Sequence, residues 1–285
     1  MDSNIINWLL EEKNPIIAYR TKKELLNEKS KNFNVINWLN SFLPIDWQDT
    51  KGMWLIYYYT AIAECGLNKN DIKIDKHKIF NRFKDVTIEY GCEDFMLLRA
   101  FIMLGFYDEV KNILKDIKLN QLSDGGFLCL HRKHKNPLKS CIKSNNFILM
   151  FCAECKKREI KYFFEDDIIS YFWKHNIFYK TQALSTLVLD DKVGWRAIDT
   201  FFPFEPMRIG IQNIVESFCA LGYCNDKRLN EAWRILETKK TTEGKYVLDG
   251  TLTKPYLPKE KVGQPSKWIT FYSLLAEKKK NIEKN

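Results

Sequence analysis

The residues with the clearest potential for chemistry lie in one short stretch near the middle of the chain. The segment "CLHRKHKNPLKSC" contains Cys129, His131, His134 and Cys141. Zinc prefers thiolate and imidazole ligands, and four of them complete a tetrahedral site. This spacing makes zinc a candidate cofactor if the loop folds back on itself, and Cys129 near His131 also fits a nucleophile with its base. The alternative is a solvated histidine loop with buried or incidental cysteines.

A further pair of cysteines, Cys152 and Cys155, has the two-residue spacing of many zinc sites. Its surroundings, "SNNFILMFCAECKKREI", predict a helix, which places both thiols on one helix face.

The chain begins "MDSNIINWLLEEKNP", without the regions of a signal peptide, and no stretch reaches the ~18 apolar residues of a membrane span. We therefore expect a soluble, cytoplasmic protein whose eight cysteines are thiols.

Three glycine turns share one pattern: a long polar residue, a glycine four positions later, and an aromatic residue two positions after the glycine. We expect the glycine to be left-handed between two helices, the aromatic ring to pack on the next hairpin, and the polar side chain to bind free backbone groups. The pattern indicates an internal repeat, and "DDKVGWRA" is a divergent candidate for a further copy. The three copies are Gln48, Gly52 and Trp54; Gln121, Gly125 and Phe127; and Lys240, Gly244 and Tyr246.

The elements that must position these residues are helices. Only 12 Gly and 8 Pro in 285 residues favour an all-α protein over a turn-rich β architecture. Apolar residues recur at helical spacing in stretches of about three turns, which indicates stacked helical hairpins. We predict a single domain over residues 1–278 and a disordered basic tail over 279–285. The net charge of +9 favours solubility, with a basic binding surface as the alternative.

The repeated turn resembles that of the terpene cyclase and prenyltransferase repeat superfamily. Gln, three residues, Gly, one residue and Trp form the core of the repeat in squalene and hopene cyclases, and "DGGF" is similar to a turn in prenyltransferase β-subunits. The resemblance extends from "WLLEEKNPIIAYRTKKELL" to "VGQPSKWITFYSLL". It implies an α/α toroid, in which paired helices form two rings around a cavity for an apolar, isoprenoid-like ligand.

The resemblance also implies candidate catalytic residues. Hopene-type cyclases protonate an alkene with an Asp-x-Asp-Asp motif, whose nearest counterpart here is "VLDD", with Asp190 and Asp191 but without the first aspartate. The acid role competes with that of a helix cap or a solvated turn. Protein prenyltransferases hold zinc with Asp, Cys and a late His, and no histidine follows His175 here, so that site does not transfer.

Three functions are consistent with these features. The first is a toroid that binds an apolar or extended ligand, a small molecule or a peptide, with or without catalysis. The second is a non-catalytic binding scaffold. The third is a basic helical repeat that binds nucleic acid on a concave face. The glycine corners favour the toroid, since open solenoids do not need them, so we do not expect nucleic acid to be the partner.

Overall fold

The structure is a computed structural model of the 285-residue chain, and over the residues that it describes the protein is all-helical, as predicted, with eleven α-helices and isolated β-bridges. The described residues are 2–31, 33–44, 46–50, 52–73, 75, 80–83, 91–117, 119, 121–127, 140–180, 184, 186–188, 193–205, 208–251 and 260–282. The helices are α1 (Ser3–Leu9), α2 (Pro15–Arg20), α3 (Phe33–Asn40), α4 (Met53–Glu64), α5 (Cys92–Leu104), α6 (Tyr107–Lys115), α7 (Ile142–Lys157), α8 (Glu165–Lys174), α9 (Ile211–Ala220), α10 (Asn230–Glu237) and α11 (Lys267–Ile282).

The chain forms two compact units. Unit 1 comprises Met1–Ile45 and Trp173–Asn285, and unit 2 comprises Asp46–Phe172. Each of these units has its own buried helices, and the single domain over residues 1–278 stays a prediction. Over the described residues, none of the helices combines the length and apolar composition that crossing a membrane requires.

Unit 2 is built around helix α5, which packs against α4 on one side and α7 on the other. The run "FMLLRAFIML" in α5 is apolar almost all round, as is typical of a helix enclosed by protein, and nearly every residue of α5 is buried. Three buried rings, Phe95, Phe151 and Phe164, join α5 to α7 and the start of α8. The ring centroids of Phe151 and Phe164 lie 5.3 and 5.8 Å from that of Phe95. Burying each such ring contributes about 1.5–3 kcal/mol.

Unit 1 has α9 and α11 at its centre, packed along each other. Helix α2 and the π-helical turn that follows it, Thr21–Leu25, pack on α11. The last turns of α11 include residues 279–282, which the sequence analysis assigned to a tail. Lys279 pairs there with Glu216 of α9 at 2.8 Å. Residues 283–285 lie outside the described residues.

The two units contain the same succession of elements. In each, a buried helix ends at a left-handed glycine, Gly105 (φ 91°) after α5 and Gly222 (φ 95°) after α9. A surface helix, a glycine corner and a second buried helix follow: α6, residues 121–127 and α7 in unit 2; α10, residues 240–246 and α11 in unit 1. The structure therefore contains an internal repeat of the hairpin-and-corner kind.

Candidate functional site

An open groove in unit 1 lies between α2, α3 and the segment that follows α1. Its volume is about 430 Å³, which is within the range of small-molecule sites. Its lining combines apolar side chains with charged and polar ones. The apolar ones are Leu10, Pro15, Ala18, Tyr19, Val35 and Trp38, and the others are Glu12, Lys22, Ser30, Lys31 and Asn37.

The apolar part of the groove centres on two aromatic side chains and a valine. Val35 is 1% exposed and Tyr19 is 8% exposed, so both form its floor. Trp38 is partly exposed and packs on Phe42 with a centroid distance of 4.7 Å. Because Trp38 presents apolar area to water beside a buried floor, a ligand that covers it gains from desolvation.

Two lysines give the groove a net positive charge. Lys22 and Lys31 are exposed and line it together with one acid, Glu12. Over the residues that the structure describes, neither lysine ammonium has an ion-pair partner. Both ammonium groups are therefore available to an anionic group at the rim of the groove.

Helix α2, which carries much of the groove wall, is anchored to the core by Arg20. This side chain is 4% exposed and donates from Nη1 to the Tyr272 hydroxyl of α11 at 2.8 Å. Its guanidinium pairs with Glu24 at 2.6 Å and lies 4.7 Å from the Phe271 ring centroid. Such a fully engaged arginine holds α2 in place, so the groove is formed before a ligand arrives.

The turn after α2 is held from the other side by Lys278. Its ammonium donates to the carbonyl oxygens of Glu24 and Leu25, both at 2.9 Å, and to Asn27 Oδ1 at 3.0 Å. These two carbonyl groups lie at the C-terminal end of the π-helical turn, where carbonyls have no N–H donor from the same helix. The Lys278 ammonium supplies that donor. The wall of the groove is thus tied to α11 at two points.

Unit 2 contains a cluster of charged side chains on its central helices. Arg99 of α5 pairs with Glu64 of α4 at 2.6 Å, and both side chains are 5% exposed or less. Glu154 of α7 pairs with Lys157 at 2.9 Å and with Arg158. The cluster joins the three central helices, and Arg99 and the two carboxylates in it are buried, so we interpret it as structural.

The electrostatics of this cluster keep its carboxylate charged. Burial by itself raises the pKa of the Glu154 carboxyl, but the cations of Lys157, Arg158 and Arg99 outweigh burial and hold that pKa well below its usual range. Glu154 is therefore ionised at neutral pH and is not a proton donor.

Of the predicted zinc ligands, only Cys141 lies within the described residues, where it directly precedes α7. Cys129, His131 and His134 lie outside them. Cys152 and Cys155 are buried thiols whose pKa is raised mainly by burial, so both are protonated and poor metal ligands. Among the described residues, no group of His, Cys, Asp and Glu side chains is arranged to hold a metal.

The expectation that every cysteine is a thiol is wrong for two of them. Cys219, in the last turn of α9, and Cys224 form a disulfide. Sequence spacing did not predict the pairing, because the two residues meet only after Gly222 reverses the chain between them.

The predicted acids Asp190 and Asp191 lie outside the described residues. Asp199 follows them in the sequence and is a buried carboxyl that the structure describes. It accepts hydrogen bonds from the backbone N–H groups of Gly194 and Arg196 at 2.8 and 2.9 Å. Burial raises its pKa, but hydrogen bonds from Arg196 and the charge of Lys239 outweigh burial and lower it. Asp199 is therefore a carboxylate that fixes the turn at Gly194.

Two of the three predicted corners adopt the same geometry. Gln121 bridges Phe127, and Lys240 bridges Tyr246, in antiparallel pairs. The glycines between them, Gly125 and Gly244, have positive φ of 87° and 79°. Phe127 and Tyr246 are both buried, so each corner inserts its aromatic ring into the core.

The polar residues that open these corners act differently. Gln121 Nε2 donates to the Gly125 carbonyl at 3.1 Å and closes its own corner. Lys240 pairs with Glu277 of α11 at 3.0 Å and braces a neighbouring helix. The first residue of the corner was expected to hydrogen-bond to free backbone groups. Gln121 does so in its corner, whereas Lys240 forms an ion pair instead.

The first predicted corner has another structure. Gln48 lies in a short 3-10 helix and its amide donates to the Lys73 carbonyl, while Gly52 (φ 67°) is the N-cap of α4. Trp54 is 49% exposed, so its ring is not inserted into the core as Phe127 and Tyr246 are. In the divergent fourth candidate, Gly194 also has positive φ (84°) and Trp195 is 43% exposed.

Sequence reasoning missed the residues that hold the two matching corners. The Phe127 backbone N–H donates to Asn145 Oδ1 at 2.9 Å, and the Tyr246 backbone N–H donates to Thr270 Oγ1 at 2.8 Å. Each acceptor lies in the first turn of the following buried helix. The residue four positions before the acceptor, Cys141 or Ser266, donates its backbone N–H to the carbonyl of Phe127 or Tyr246, respectively. The connecting segments differ in length, so no fixed spacing revealed them.

The groove was also absent from the sequence-based predictions. Tyr19, Val35 and Trp38 look like ordinary helix residues in the sequence, and only the packing of α2 and α3 turns them toward one space. Comparison of the chain with protein-family models, with curated proteins and with solved structures finds no match.

Proposed function

We propose that this protein binds an extended amphipathic ligand, with an apolar body and an anionic end, in the groove between α2, α3 and the segment that follows α1. The observation that carries the proposal is the pairing of apolar side chains, Tyr19, Val35 and Trp38, with two lysine ammonium groups. Over the described part of the chain, Lys22 and Lys31 have no ion-pair partner. An apolar chain covers the floor, and an anionic group meets the lysines.

The chemistry of the lining supports binding more directly than catalysis. Lysines attract an anion and position it, and the apolar floor supplies desolvation energy. We assign no chemical step to the groove. Isoprenoid diphosphates have the required shape and charge, and the resemblance of the glycine corners to those of isoprenoid-processing enzymes favours them over other amphipathic anions.

Direct titration tests the proposal. Three probes, namely farnesyl diphosphate, a long-chain fatty acid and farnesol, are titrated against the full-length protein by calorimetry. We expect both anions to bind more tightly than farnesol, since the alcohol lacks the charge. Tighter binding of farnesyl diphosphate than of the fatty acid identifies an isoprenoid diphosphate. Equal affinity for farnesol and the anions contradicts the role of the lysines.

Two rim variants and a matched control locate the site. Lys22→Gln and Lys31→Gln are each expected to weaken anion binding about fivefold, equivalent to ~1 kcal/mol, and to leave farnesol unchanged. Lys111→Gln, an exposed lysine of α6 in unit 2, is expected to change nothing. Trp38→Ala is expected to weaken all three probes, because it removes apolar contact area. Binding that survives all three groove variants places the ligand elsewhere.

We also propose that the hairpins close into an α/α toroid. The support is the repeated order of buried helix, surface helix, glycine corner and buried helix in the two units. Small-angle X-ray scattering tests it: a compact closed chain of this length has a radius of gyration of about 19 Å. A markedly larger value indicates an open superhelix and contradicts closure.

A further inference from the structure

The disulfide between Cys219 and Cys224 spans the turn that ends α9. Gly222 is left-handed there, and the Tyr223 N–H returns to the Phe218 carbonyl at 2.9 Å, which is a common way to terminate a helix. This backbone turn brings the two cysteines within 4.2 Å between Cα atoms. The sulfur atoms are therefore placed together by hydrogen bonds as well as by the covalent bond.

The same turn ends α5 in unit 2 without a disulfide. Gly105 is left-handed, and the Phe106 N–H returns to the Phe101 carbonyl, again at 2.9 Å. Ile102 and Tyr107 occupy the positions that correspond to Cys219 and Cys224. Because this matching turn forms with no covalent link, the fold of the α9 turn does not depend on its disulfide.

The surroundings of Cys224 suit a reduced state as well as an oxidised one. Its Sγ lies 3.8 Å from the Ala276 carbonyl oxygen of α11, which is a suitable acceptor for a thiol hydrogen. Its backbone carbonyl accepts a hydrogen bond from Trp233 Nε1 at 3.1 Å. Opening the disulfide thus leaves Cys224 held by α10 and α11.

A small reagent can approach the bond through the turn. Gly222 is exposed, and a Cβ placed on it has no atom within 4 Å over the residues that the structure describes. The two cysteines themselves are buried just beneath, 3% and 1% exposed. Local opening of this uncovered turn is sufficient for a small thiol to reach them.

We propose that Cys219 and Cys224 form a reversible redox site that exchanges with a low-molecular-weight thiol–disulfide couple. In the oxidising direction, one protein thiolate attacks the small disulfide, forming a mixed disulfide and releasing one small thiol. The second protein thiolate then forms the Cys219–Cys224 bond and releases the other small thiol, and the two thiol protons pass to the released thiols. The protein loses two electrons and the small disulfide gains them.

Redox titration of the full-length protein tests this proposal. The protein is equilibrated in glutathione buffers from fully reduced to fully oxidised, quenched in acid, alkylated and analysed by peptide mass spectrometry. We expect the Cys219–Cys224 link to form and open in one reversible transition, approached equally from both ends. We expect Cys152 and Cys155, which are buried with raised pKa, to stay thiols throughout.

Thermal unfolding supplies the second readout. Reduced protein should keep its helical circular dichroism and melt about 5 °C lower than oxidised protein, because reduction removes only a short-loop constraint. The Cys219→Ser/Cys224→Ser variant should melt with the reduced protein in every buffer. A bond that opens only after denaturation, a reduced protein that loses its helices, or thiols that never pair in the oxidising buffers would each overturn the proposal.

Discussion

At the residue scale, the ion pair between Arg99 and Glu64 places two charges in the protein interior. Both charges have left water, and their attraction offsets that cost only while both are present. In the sequence, Arg99 sits in the middle of an apolar run, "FMLLRAFIML", where it reads as an isolated exception. Its partner lies on another helix, so the sequence by itself did not identify the pair.

Removing one member of this pair should be more damaging than removing both. We expect Arg99→Leu to lower the free energy of unfolding by about 3–5 kcal/mol, because the buried Glu64 carboxylate then loses this ion pair. The double variant Arg99→Leu/Glu64→Leu should recover a large part of that loss. Urea denaturation measures both, and a single variant within 1 kcal/mol of the wild type contradicts the structural role of the cluster.

Glu154 should make stability depend on acidity. Its pKa is held below the unfolded value, so the ionised form stabilises the folded state at pH values above the unfolded pKa. That contribution is lost progressively as the pH falls below about 5, where the unfolded chain takes up the proton more readily. Urea midpoints measured from pH 7 to pH 3 should fall less steeply for Glu154→Gln than for the wild type. If the urea midpoints of the variant and the wild type fall in parallel with pH, Glu154 does not contribute to the pH dependence of stability.

At the element scale, the glycine corners depend on a side chain from the next buried helix. Thr270 Oγ1 accepts the otherwise unpaired N–H of Tyr246 in a fully buried position. The polar residues named by the repeat pattern, Gln121 and Lys240, lie at the outer end of each corner. The pattern therefore predicted the turn correctly but not the contact that attaches it to the core.

The isosteric variant Thr270→Val isolates this contact. We expect it to cost about 1–3 kcal/mol, since the buried Tyr246 N–H loses its acceptor. Thr60→Val is the matched control: Thr60 is equally buried, but its hydroxyl only donates to the Ile56 carbonyl of its own helix. It should cost less than 1 kcal/mol. If chemical denaturation shows the same loss of unfolding free energy for both variants, the Thr270–Tyr246 hydrogen bond adds no stability beyond that of an ordinary buried threonine.

At the scale of the whole molecule, ligand binding should be visible as stabilisation. A ligand that binds only the folded protein, at a hundred times its dissociation constant, adds about 2.7 kcal/mol, which raises the melting temperature of a chain of this size by about 5–10 °C. We expect this shift with farnesyl diphosphate or the fatty acid. In the Lys22→Gln/Lys31→Gln variant the shift should shrink, and an unchanged shift would place the anion elsewhere.

The sequence by itself determined the class of the protein and its local conformations. Helical periodicity and scarce glycine and proline specify helices because these are properties of neighbouring residues. For the same reason, the positive φ of Gly52, Gly125 and Gly244 was predictable from the turn pattern. The tertiary structure alone decided which residues meet: Arg99 with Glu64, Thr270 with Tyr246, and Tyr19 with Trp38 around the groove. Such contacts join different elements, and their partners depend on helix packing and loop length, which no local spacing encodes.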